Sequence, residues 1–545
     1  MSWSQIGNTI EGSSYNNAGF SVDINGAGDV IVVGFPFANA DRSTNMGSVQ
    51  VYNYINNSWH LKGNTITKPS ESNGYFGYSV SITHDGNKIA IGDADNFVGV
   101  YIFNESTNIW VMNFFTGNFS SGKQLGRSVS LNKTDGTTLA FGEPKNGNGI
   151  VYIYKFISGN WVRSNVENNT PPITPFSSIQ TDMIGTLSNN NYGRCVKLSD
   201  NGEIILFSGN GTVKLFRYSP GPYGDYGPHN WGEFADINCV NLHNTTETIA
   251  TMNSDASYVA VISASTSNNN TVSIYSLFVP GNIGTYAIDG SITYTNIQPV
   301  NDGVNNIATS FSFDSSGTQL AIGEPFDQNV GSVSVYIKSG NIWSQVGNDI
   351  VDNGHNSNNY KTNASFGASV ALNANGSYVA IGAPYYNNNI TSNGSAYVYG
   401  PVTICLHADT AVLTDKGYKN ISSLRKNDVV IDSFGIHHIL VNNVELPCDG
   451  NFVVIKKDAI HNNFPISDTY ITPNHPIVIN NTEIAAKKLI NGVNIYHTVL
   501  PAQKIYTLVT SERLAIDMNG MPIMTWKYDD LLNFMKTYAV SCVFI

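Results

Sequence analysis

A strand-forming pattern that recurs seven times constrains the fold of residues 1–400 more than any other feature. Each copy is an apolar run followed by Gly or Ser, and often by Pro, as in Ile31-Val32-Val33-Gly34-Phe35-Pro36. The copies begin at residues 31, 89, 139, 204, 259, 320 and 379, so successive starts differ by 58, 50, 65, 55, 61 and 59. A period of about sixty residues is typical of a four-stranded unit with loops, not of a helical repeat.

The second copy shows all four strands of the unit. Residues 78–82 alternate apolar and polar side chains, and residues 84–87 form an Asp-Gly hairpin turn. Residues 88–92 are nearly all apolar, which predicts the inner strand, and residues 98–103 and 109–112 supply the third and fourth strands. Four strands per copy, arranged radially, predict an all-β fold with a seven-bladed β-propeller.

Aromatic residues indicate how the ring closes. A tryptophan opens the fourth strand in five copies, and Tyr286 takes its place in the fifth copy; the tryptophans are Trp59, Trp110, Trp161, Trp231 and Trp343. The seventh copy ends at Tyr399-Gly400 with no fourth strand after it. Because residues 3–8 closely match residues 343–348, we predict that the N-terminal strand completes blade 7. Closure removes the exposed sheet edge of an open array.

Two copies carry the signature of a known family. Phe76-Gly77-Tyr78-Ser79-Val80 precedes Ile89-Ala90-Ile91-Gly92, and Phe366-Gly367-Ala368-Ser369-Val370 precedes Val379-Ala380-Ile381-Gly382-Ala383-Pro384. These stretches resemble FG-GAP repeats, and the resemblance extends over most of the first 400 residues. It implies a binding or spacer module whose ligand, a protein or a glycan, stays open.

The FG-GAP resemblance also raises the question of calcium, which such repeats often hold in hairpin loops. Residues 23–29 are the nearest match here, and the other turns have too few carboxylates for a calcium cage. We interpret all of them as plain hairpin turns, and therefore predict no metal and no cofactor.

Charge and cysteine content exclude several classes of protein. The net charge is −12 and no dense Lys/Arg cluster occurs, which disfavours a nucleic-acid partner. The 5 cysteines include no C-x-x-C pair, so neither a disulfide framework nor a zinc ribbon is indicated. No signal peptide and no membrane span are visible, so a cytoplasmic or virion-associated location is the default expectation.

A different sequence begins near residue 401. Cys405 follows Ile404, and Thr472-Pro473-Asn474-His475 comes some seventy residues later, with further blocks at residues 421–430 and 514–521. A cysteine that opens a β-rich domain, followed in order by Thr-x-x-His and these blocks, resembles the Hedgehog/intein (Hint) family of self-cleaving domains. Asn427 stands where that family usually has glycine, and asparagine tolerates the left-handed conformation of the turn.

The Hint resemblance implies that the domain cleaves the Ile404–Cys405 bond. The Cys405 thiol would attack the Ile404 carbonyl and form a thioester, which releases the propeller, the domain's own cis substrate. His475, with an imidazole expected to titrate near neutrality, would protonate the amide nitrogen. Thr472 would hold either the scissile amide or the oxyanion by a hydrogen bond.

An inactive Hint domain on a non-catalytic interaction protein is the alternative, so enzymatic activity stays open. Each site residue also has a plain structural interpretation, because a buried cysteine is often a small hydrophobe and a histidine after Pro-Asn a turn residue. Splicing is not expected, since no His-Asn followed by Cys, Ser or Thr lies near the end. The predicted domains are 1–400, the Hint fold at 401–526, and a tail at 527–545 with a short helix at 529–536.

Overall fold

The structure is a computed structural model of the 545-residue chain. It describes residues 3–13, 16–37, 46–55, 58–69, 74–116, 121–166, 183–184, 191–209, 212–219, 230–238, 248–263, 270–278, 285–294, 310–325, 327, 330–340, 342–352, 365–385, 393–401, 405–448, 451–473, 475–500, 503–529, 531 and 543–544. The chain forms two compact units, Gln5–Tyr399 and Gly400–Ile545, the second together with Met1–Ser4. No helix in the described ranges is long and apolar enough to cross a membrane.

The first unit is a seven-bladed β-propeller, as predicted. Its early strands are β1 (Trp3–Gln5), β2 (Ile10–Glu11), β3 (Val22–Ile24), β4 (Val30–Phe35), β5 (Ser48–Ile55), β6 (Ser58–Leu61), β7 (Ile66–Thr67), β8 (Ser79–Ile82), β9 (Lys88–Gly92), β10 (Val98–Asn104), β11 (Ile109–Phe115), β12 (Val129–Leu131), β13 (Thr138–Glu143), β14 (Ile150–Ile157), β15 (Asn160–Arg163), β16 (Asn165–Val166) and β17 (Met183–Ile184). The later ones are β18 (Cys195–Leu198), β19 (Ile204–Gly209), β20 (Thr212–Ser219), β21 (Asn230–Asn238), β22 (Ile249–Met252), β23 (Tyr258–Ser263), β24 (Asn270–Phe278), β25 (Thr285–Tyr294), β26 (Phe311–Phe313), β27 (Gln319–Glu324), β28 (Ser332–Ser339), β29 (Ile342–Gln345), β30 (Ser369–Leu372), β31 (Val379–Ala383) and β32 (Ser395–Pro401).

Each blade is built on an antiparallel sheet of four strands, which are consecutive in the chain in the first six blades. The blades are β3–β6, β8–β11, β12–β15, β18–β21, β22–β25 and β26–β29, and blade 7 has the order β30-β31-β32-β1. The first strands of neighbouring blades contact one another around the whole ring, from β3 through β8, β12, β18, β22 and β26 to β30. The first strand is therefore innermost, and our assignment of residues 88–92 to the inner position is wrong. Those residues form β9, the second strand, which is nearly all apolar because its two faces pack against the two neighbouring blades.

The hairpin turns that follow the inner strands form a second closed ring. Each turn gives a backbone N–H to a carbonyl of the next blade, and blade 7 gives one to blade 1. The seven bonds are Gly26 to His84 (3.1 Å), His84 to Lys133 (2.7 Å), Thr134 to Asp200 (3.0 Å), Asp200 to Ser254 (2.8 Å), Ser254 to Ser315 (3.3 Å), Ser315 to Ala374 (2.9 Å) and Ala374 to Gly26 (3.3 Å). This ring shows closure at seven blades without reference to the N-terminal strand.

The two parts of the FG-GAP signature, the serine of the first strand and the glycine that ends the apolar run, both allow close contact between neighbouring blades. The hydroxyl of Ser79 donates a hydrogen bond to the Gly126 carbonyl of the next blade at 2.8 Å. A Cβ atom at Gly92 would overlap the same Gly126 oxygen, so only glycine permits this approach. Blade 7 meets blade 1 in the same way, because Ser369 donates to the Gly19 carbonyl at 2.9 Å.

The N-terminal segment closes blade 7 and also contacts blade 1. The Ile6 N–H donates to the Val398 carbonyl at 2.9 Å, and Ile10 pairs with Ala396. Asn8 Oδ1 accepts the Trp59 N–H at 2.7 Å, and the Ile6 carbonyl accepts the Trp59 indole N–H at 3.1 Å. The predicted closure by the N-terminal strand is confirmed.

The same pair of bonds recurs one blade later. Asn64 Oδ1 accepts the Trp110 N–H at 2.9 Å, and the Lys62 carbonyl accepts the Trp110 indole N–H at 2.8 Å. Trp59 and Trp110 are therefore each fixed by the segment that precedes their own blade. In both places the carbonyl and the asparagine that accept the bonds flank a glycine, as Ile6-Gly7-Asn8 and Lys62-Gly63-Asn64.

The second unit contains two eight-stranded sheets in a curled half-barrel arrangement. Its strands are β33 (Leu406–His407), β34 (Ala411–Thr414), β35 (Gly417–Asn420), β36 (Val429–Ile431), β37 (His437–Ile439), β38 (Asn442–Cys448), β39 (Asn451–Ile455), β40 (Thr469–Ile471), β41 (Pro476–Ile479), β42 (Thr482–Ala485), β43 (Ile495–Val499), β44 (Gln503–Thr510), β45 (Ala515–Met518), β46 (Met521–Met524), β47 (Trp526–Lys527) and β48 (Val543–Phe544), with short 3₁₀ turns at Ile421–Ser423 and Ala486–Leu489. One sheet has the order β43-β39-β40-β33-β44-β38-β48, with β47 beside β44, and the other has the order β37-β36-β34-β45-β46-β41-β42, with β35 beside β34.

Both sheets bury apolar side chains in one core, which includes Leu406 and Val453 from the first sheet and Val412 and Ile477 from the second. Asn427 has a φ of 73°, which confirms the predicted left-handed turn. Of the predicted tail helix at 529–536, only Asp529 and Leu531 are among the described residues.

Candidate functional site

Cys405 lies at the start of the second unit, directly before β33. Its side chain is fully buried in an apolar cluster with Val444, Phe452 and Ile505, and it forms no disulfide. Ile404, the residue on the other side of the predicted scissile bond, lies outside the described residues. The described part of that bond is therefore the Cys405 nitrogen, the atom that would leave in a cleavage reaction.

Thr472 holds the Cys405 residue through three hydrogen bonds. Thr472 follows β40, which pairs with β33 through Leu406 and Ile471, and this pairing brings it beside Cys405. Its Oγ1 accepts the Cys405 N–H at 2.9 Å and donates to the Cys405 carbonyl at 3.1 Å, and its own N–H donates to that carbonyl at 3.0 Å. The single hydroxyl hydrogen is thus already committed, so in this state Thr472 contacts the amide and donates nothing to an oxyanion.

His475 sits on the same turn, because its N–H donates to the Thr472 carbonyl at 3.0 Å. The imidazole is fully buried, and Nε2 lies 3.0 Å from the Met524 carbonyl oxygen. A carbonyl only accepts, so Nε2 carries the hydrogen and Nδ1 holds the lone pair. Nδ1 is buried and has no hydrogen-bond partner within the described part of the chain.

Burial also sets the protonation of His475. Loss of solvent lowers its pKa to about 4, although the carbonyls of Met524 and Cys405 favour the charged form. The expectation of an imidazole that titrates near neutrality is therefore wrong. At neutral pH His475 is uncharged, with Nδ1 able to accept a proton.

Sequence reasoning missed the contribution of Met524. Its carbonyl, at the end of β46, fixes the His475 tautomer, and the neighbouring Thr525 hydroxyl is 2.6 Å from Thr510 Oγ1. Every residue type has a backbone carbonyl, so no sequence signal could have identified Met524 as the partner of His475. Strand pairing brings the three predicted site residues together, namely Cys405, Thr472 and His475.

The side-chain oxygen atoms of Asp23 and Asn25, in the hairpin nearest to a calcium loop, already accept hydrogen bonds from the protein. Asn25 Oδ1 accepts the N–H groups of Gly28, Asp29 and Val30, at 3.0, 3.0 and 2.9 Å. Asp23 accepts the N–H groups of Ile24 and Ile82 and the Lys133 ammonium. Among the residues that the structure describes, no group of three or more His, Cys, Asp or Glu side chains could hold a metal ion.

Comparisons with known proteins bear on the first unit. Residues 357–399 match the FG-GAP repeat model. Among solved structures, the chain is similar to the Cps50 (Swd1) β-propeller domain of Myceliophteria thermophila, with a TM-score of 0.44 and 8% identity over 74% of this chain and 100% of that chain. It is also similar to a candidate 6-phosphogluconolactonase from Bacteroides uniformis, with a TM-score of 0.41 and 13% identity over 61% and 85% of the two chains. A comparison with curated proteins found no match.

A propeller with an FG-GAP repeat suggests a non-catalytic interaction or structural role for the first unit. The inter-blade contacts of the repeat agree with such a role, because the polar groups of the signature are used to hold neighbouring blades. The polar cluster at Cys405 has a different character, since Thr472 holds a single residue, Cys405, by both its N–H and its carbonyl.

Proposed function

We propose that the second unit is a Hint-type self-processing domain, with limits at residues 401–526, attached to an interaction propeller. It cleaves the Ile404–Cys405 bond and so releases the propeller, its cis substrate. One observation carries this proposal: Thr472 Oγ1 accepts the N–H of Cys405, the nitrogen of that bond, at 2.9 Å. A buried imidazole lies on the same turn as Thr472.

In this proposal His475 acts first as a base and then as an acid. The uncharged Nδ1 accepts the proton of the Cys405 thiol while Sγ attacks the Ile404 carbonyl carbon. Nδ1 then returns the proton to the Cys405 nitrogen as the C–N bond breaks, which leaves a thioester between Ile404 and Cys405. Throughout, Nε2–H stays bonded to the Met524 carbonyl, so the proton moves at one ring nitrogen only.

Thr472 positions the amide in this reaction. Its hydroxyl holds the Cys405 N–H and its backbone N–H holds the Cys405 carbonyl, so the residue is fixed on both sides of its Cα atom. A fixed nucleophile beside its target lowers the entropic cost of the intramolecular attack. Thr472→Ser keeps the hydroxyl and is expected to keep cleavage, whereas Thr472→Val removes it and slows cleavage.

A non-catalytic interaction protein with an inactive second unit is the other candidate, and the FG-GAP match favours it. Denaturing electrophoresis of freshly expressed protein separates the two. Cleavage gives two bands, with a large fragment of 404 residues and a small one of 141 residues (545 − 404). A single full-length band that persists with added nucleophile supports the non-catalytic protein.

A further inference from the structure

We propose that the propeller binds a small carboxylate in a cavity on its axis, with the ammonium of Lys197 as the principal ligand-binding group. The cavity has a volume of about 30 Å³ and is lined by residues from all seven blades. A cavity that touches every blade must lie on their common axis. This site belongs to the first unit and does not depend on the cleavage proposed above.

The acidic side chains that line the cavity, Asp200 and Asp314, already have donors, and so does Asp23, which adjoins the lining residue Ile24. Asp23 accepts two backbone N–H groups and the Lys133 ammonium, the last at 2.7 Å. Asp200 Oδ2 is 2.8 Å from His84 Nε2 and accepts the Ser315 hydroxyl at 3.3 Å. Asp314 accepts the Gln319 N–H at 2.7 Å within its own turn. These carboxylates are therefore satisfied without a bound cation.

Lys197 differs from these groups. It projects from the inner strand β18 into the cavity lining, yet its ammonium has no hydrogen bond and no ion pair to any residue within the described ranges. Burial lowers the pKa of Lys197, and the neighbouring Lys133 ammonium lowers it further, whereas the carboxylates of Asp23 and Asp200 raise it. Among the residues that the structure describes, the Lys133 ammonium donates to Asp23 alone, so N–H groups of two ammoniums remain for a ligand at this cavity.

Size and hydrogen bonding together select the ligand class. Lys197 is half-buried, so its ammonium is open to the cavity, and an oxyanion there supplies a charged acceptor. A water-sized group needs roughly 10–15 Å³ measured in this way, so the cavity holds about two such groups. The two oxygens of a carboxylate fill that space while the rest of the ligand projects through the open side of the cavity, whereas the four oxygens of sulfate or phosphate exceed it.

The test is calorimetric titration of the full chain with formate, acetate and sulfate at constant ionic strength and neutral pH. We expect saturable binding of formate and acetate, and none of sulfate. Lys197→Met should weaken acetate binding at least tenfold, because it removes the ammonium and keeps the apolar stem. Lys145→Met is the matched control, since Lys145 is exposed and lies outside the cavity, and it should bind acetate as the parent does.

A second measurement needs no variant. Crystals of the parent protein grown with acetate should show its carboxylate within hydrogen-bond distance of Lys197 Nζ, and crystals grown with sulfate should show only water there. The source of the carboxylate is distinguished by a tripeptide with a free or an amidated C-terminus. Tighter binding of the free form than of acetate indicates a carboxylate carried by a protein, and the reverse order indicates a free small acid.

Three results would overturn the proposal. They are equal acetate affinity of Lys197→Met and the parent, saturable binding of sulfate as tight as that of acetate, and no saturable binding of either carboxylate by the parent.

Discussion

The propeller and the second unit use their buried polar side chains in opposite ways. In the propeller, a serine hydroxyl meets a glycine carbonyl of the next blade again and again, as Ser79 meets Gly126 and Ser369 meets Gly19. In the second unit, Thr472 holds one residue, Cys405, by its N–H and its carbonyl, and His475 lies on the same turn as Thr472. Repetition therefore identifies polar residues that hold the fold. A polar cluster that occurs once, and in which His475 Nδ1 has no hydrogen-bond partner among the described residues, is the better candidate for chemistry.

The largest effect that this contrast predicts is loss of cleavage in Cys405→Ala. The substitution removes the only thiol at the bond, so the two fragments should disappear from a denaturing gel. Cys195→Ala is the matched control, because Cys195 belongs to the propeller and donates to the Ala250 carbonyl at 2.8 Å. If Cys195→Ala stopped cleavage and Cys405→Ala did not, the assignment of Cys405 as the nucleophile would be contradicted.

The next largest effect concerns His475. His475→Ala should slow cleavage by roughly 10²- to 10⁴-fold, the usual contribution of proton transfer by a positioned side chain. With a pKa of about 4, His475 is already uncharged in the parent at neutral pH. The parent rate, followed by densitometry, should therefore not fall between pH 6 and pH 8, a range chosen to bracket about 6.5, the ordinary histidine pKa. A fall in the cleavage rate as the pH rises through that range would show that charged His475 is the starting form.

The stability of the second unit should depend on His475 at acidic pH, below the range in which the cleavage rate is constant. Because the folded pKa is lowered, the unfolded chain binds the proton more readily, and the second unit loses stability as pH falls from about 6.5 towards 4. Urea unfolding of Cys405→Ala, which stays uncut, should show this loss, and the double variant with His475→Gln should show less of it. Equal losses in the two proteins would mean that other groups cause the acid sensitivity.

Deleting residues 2–10 should act on the propeller instead. The deletion removes the fourth strand of blade 7 and the Trp59 partners Ile6 and Asn8, so the melting temperature should drop by several degrees. Calorimetry of the Cys405→Ala protein measures this without interference from cleavage. An unchanged melting curve would mean that the ring of turn hydrogen bonds alone closes the propeller.

The smallest predicted effect is that of Gly92→Ala. The new Cβ would overlap the Gly126 carbonyl, and overpacking of this kind typically costs about 1–3 kcal/mol of unfolding free energy. Gly159→Asn is the control, because nothing lies within 4 Å of its Cβ position and asparagine tolerates the positive φ. Denaturant midpoints of the two variants should differ, and equal midpoints would contradict the close-contact explanation of the signature.

Local patterns predicted a large part of this structure. The period of the repeats and Asn427 in a left-handed turn report features of the chain near themselves, and the match of residues 3–8 to residues 343–348 shows that the N-terminus carries the missing strand of a repeat. The position of residues 88–92 was misjudged, because apolar content reports burial and not distance from the axis.

Features that depend on distant parts of the chain were not predictable. The ring of turn hydrogen bonds joins backbone groups from seven blades, and no pattern of side chains predicts it. The low pKa of His475 follows from its burial, and its tautomer follows from the Met524 carbonyl 49 residues away. Sequence identified Cys405, Thr472 and His475 as candidates, but only the fold could show which atoms meet.

The central claim is a thioester at Ile404, and hydroxylamine tests it most directly. Hydroxylamine attacks a thioester readily and leaves an amide intact, so it should raise the yield of the 404-residue fragment. Intact mass spectrometry of that fragment should find a hydroxamate on Ile404, and Cys405→Ala should yield no fragment at all. A free carboxylate at an unchanged rate, in the presence of hydroxylamine, would contradict the thioester and with it the proposed mechanism.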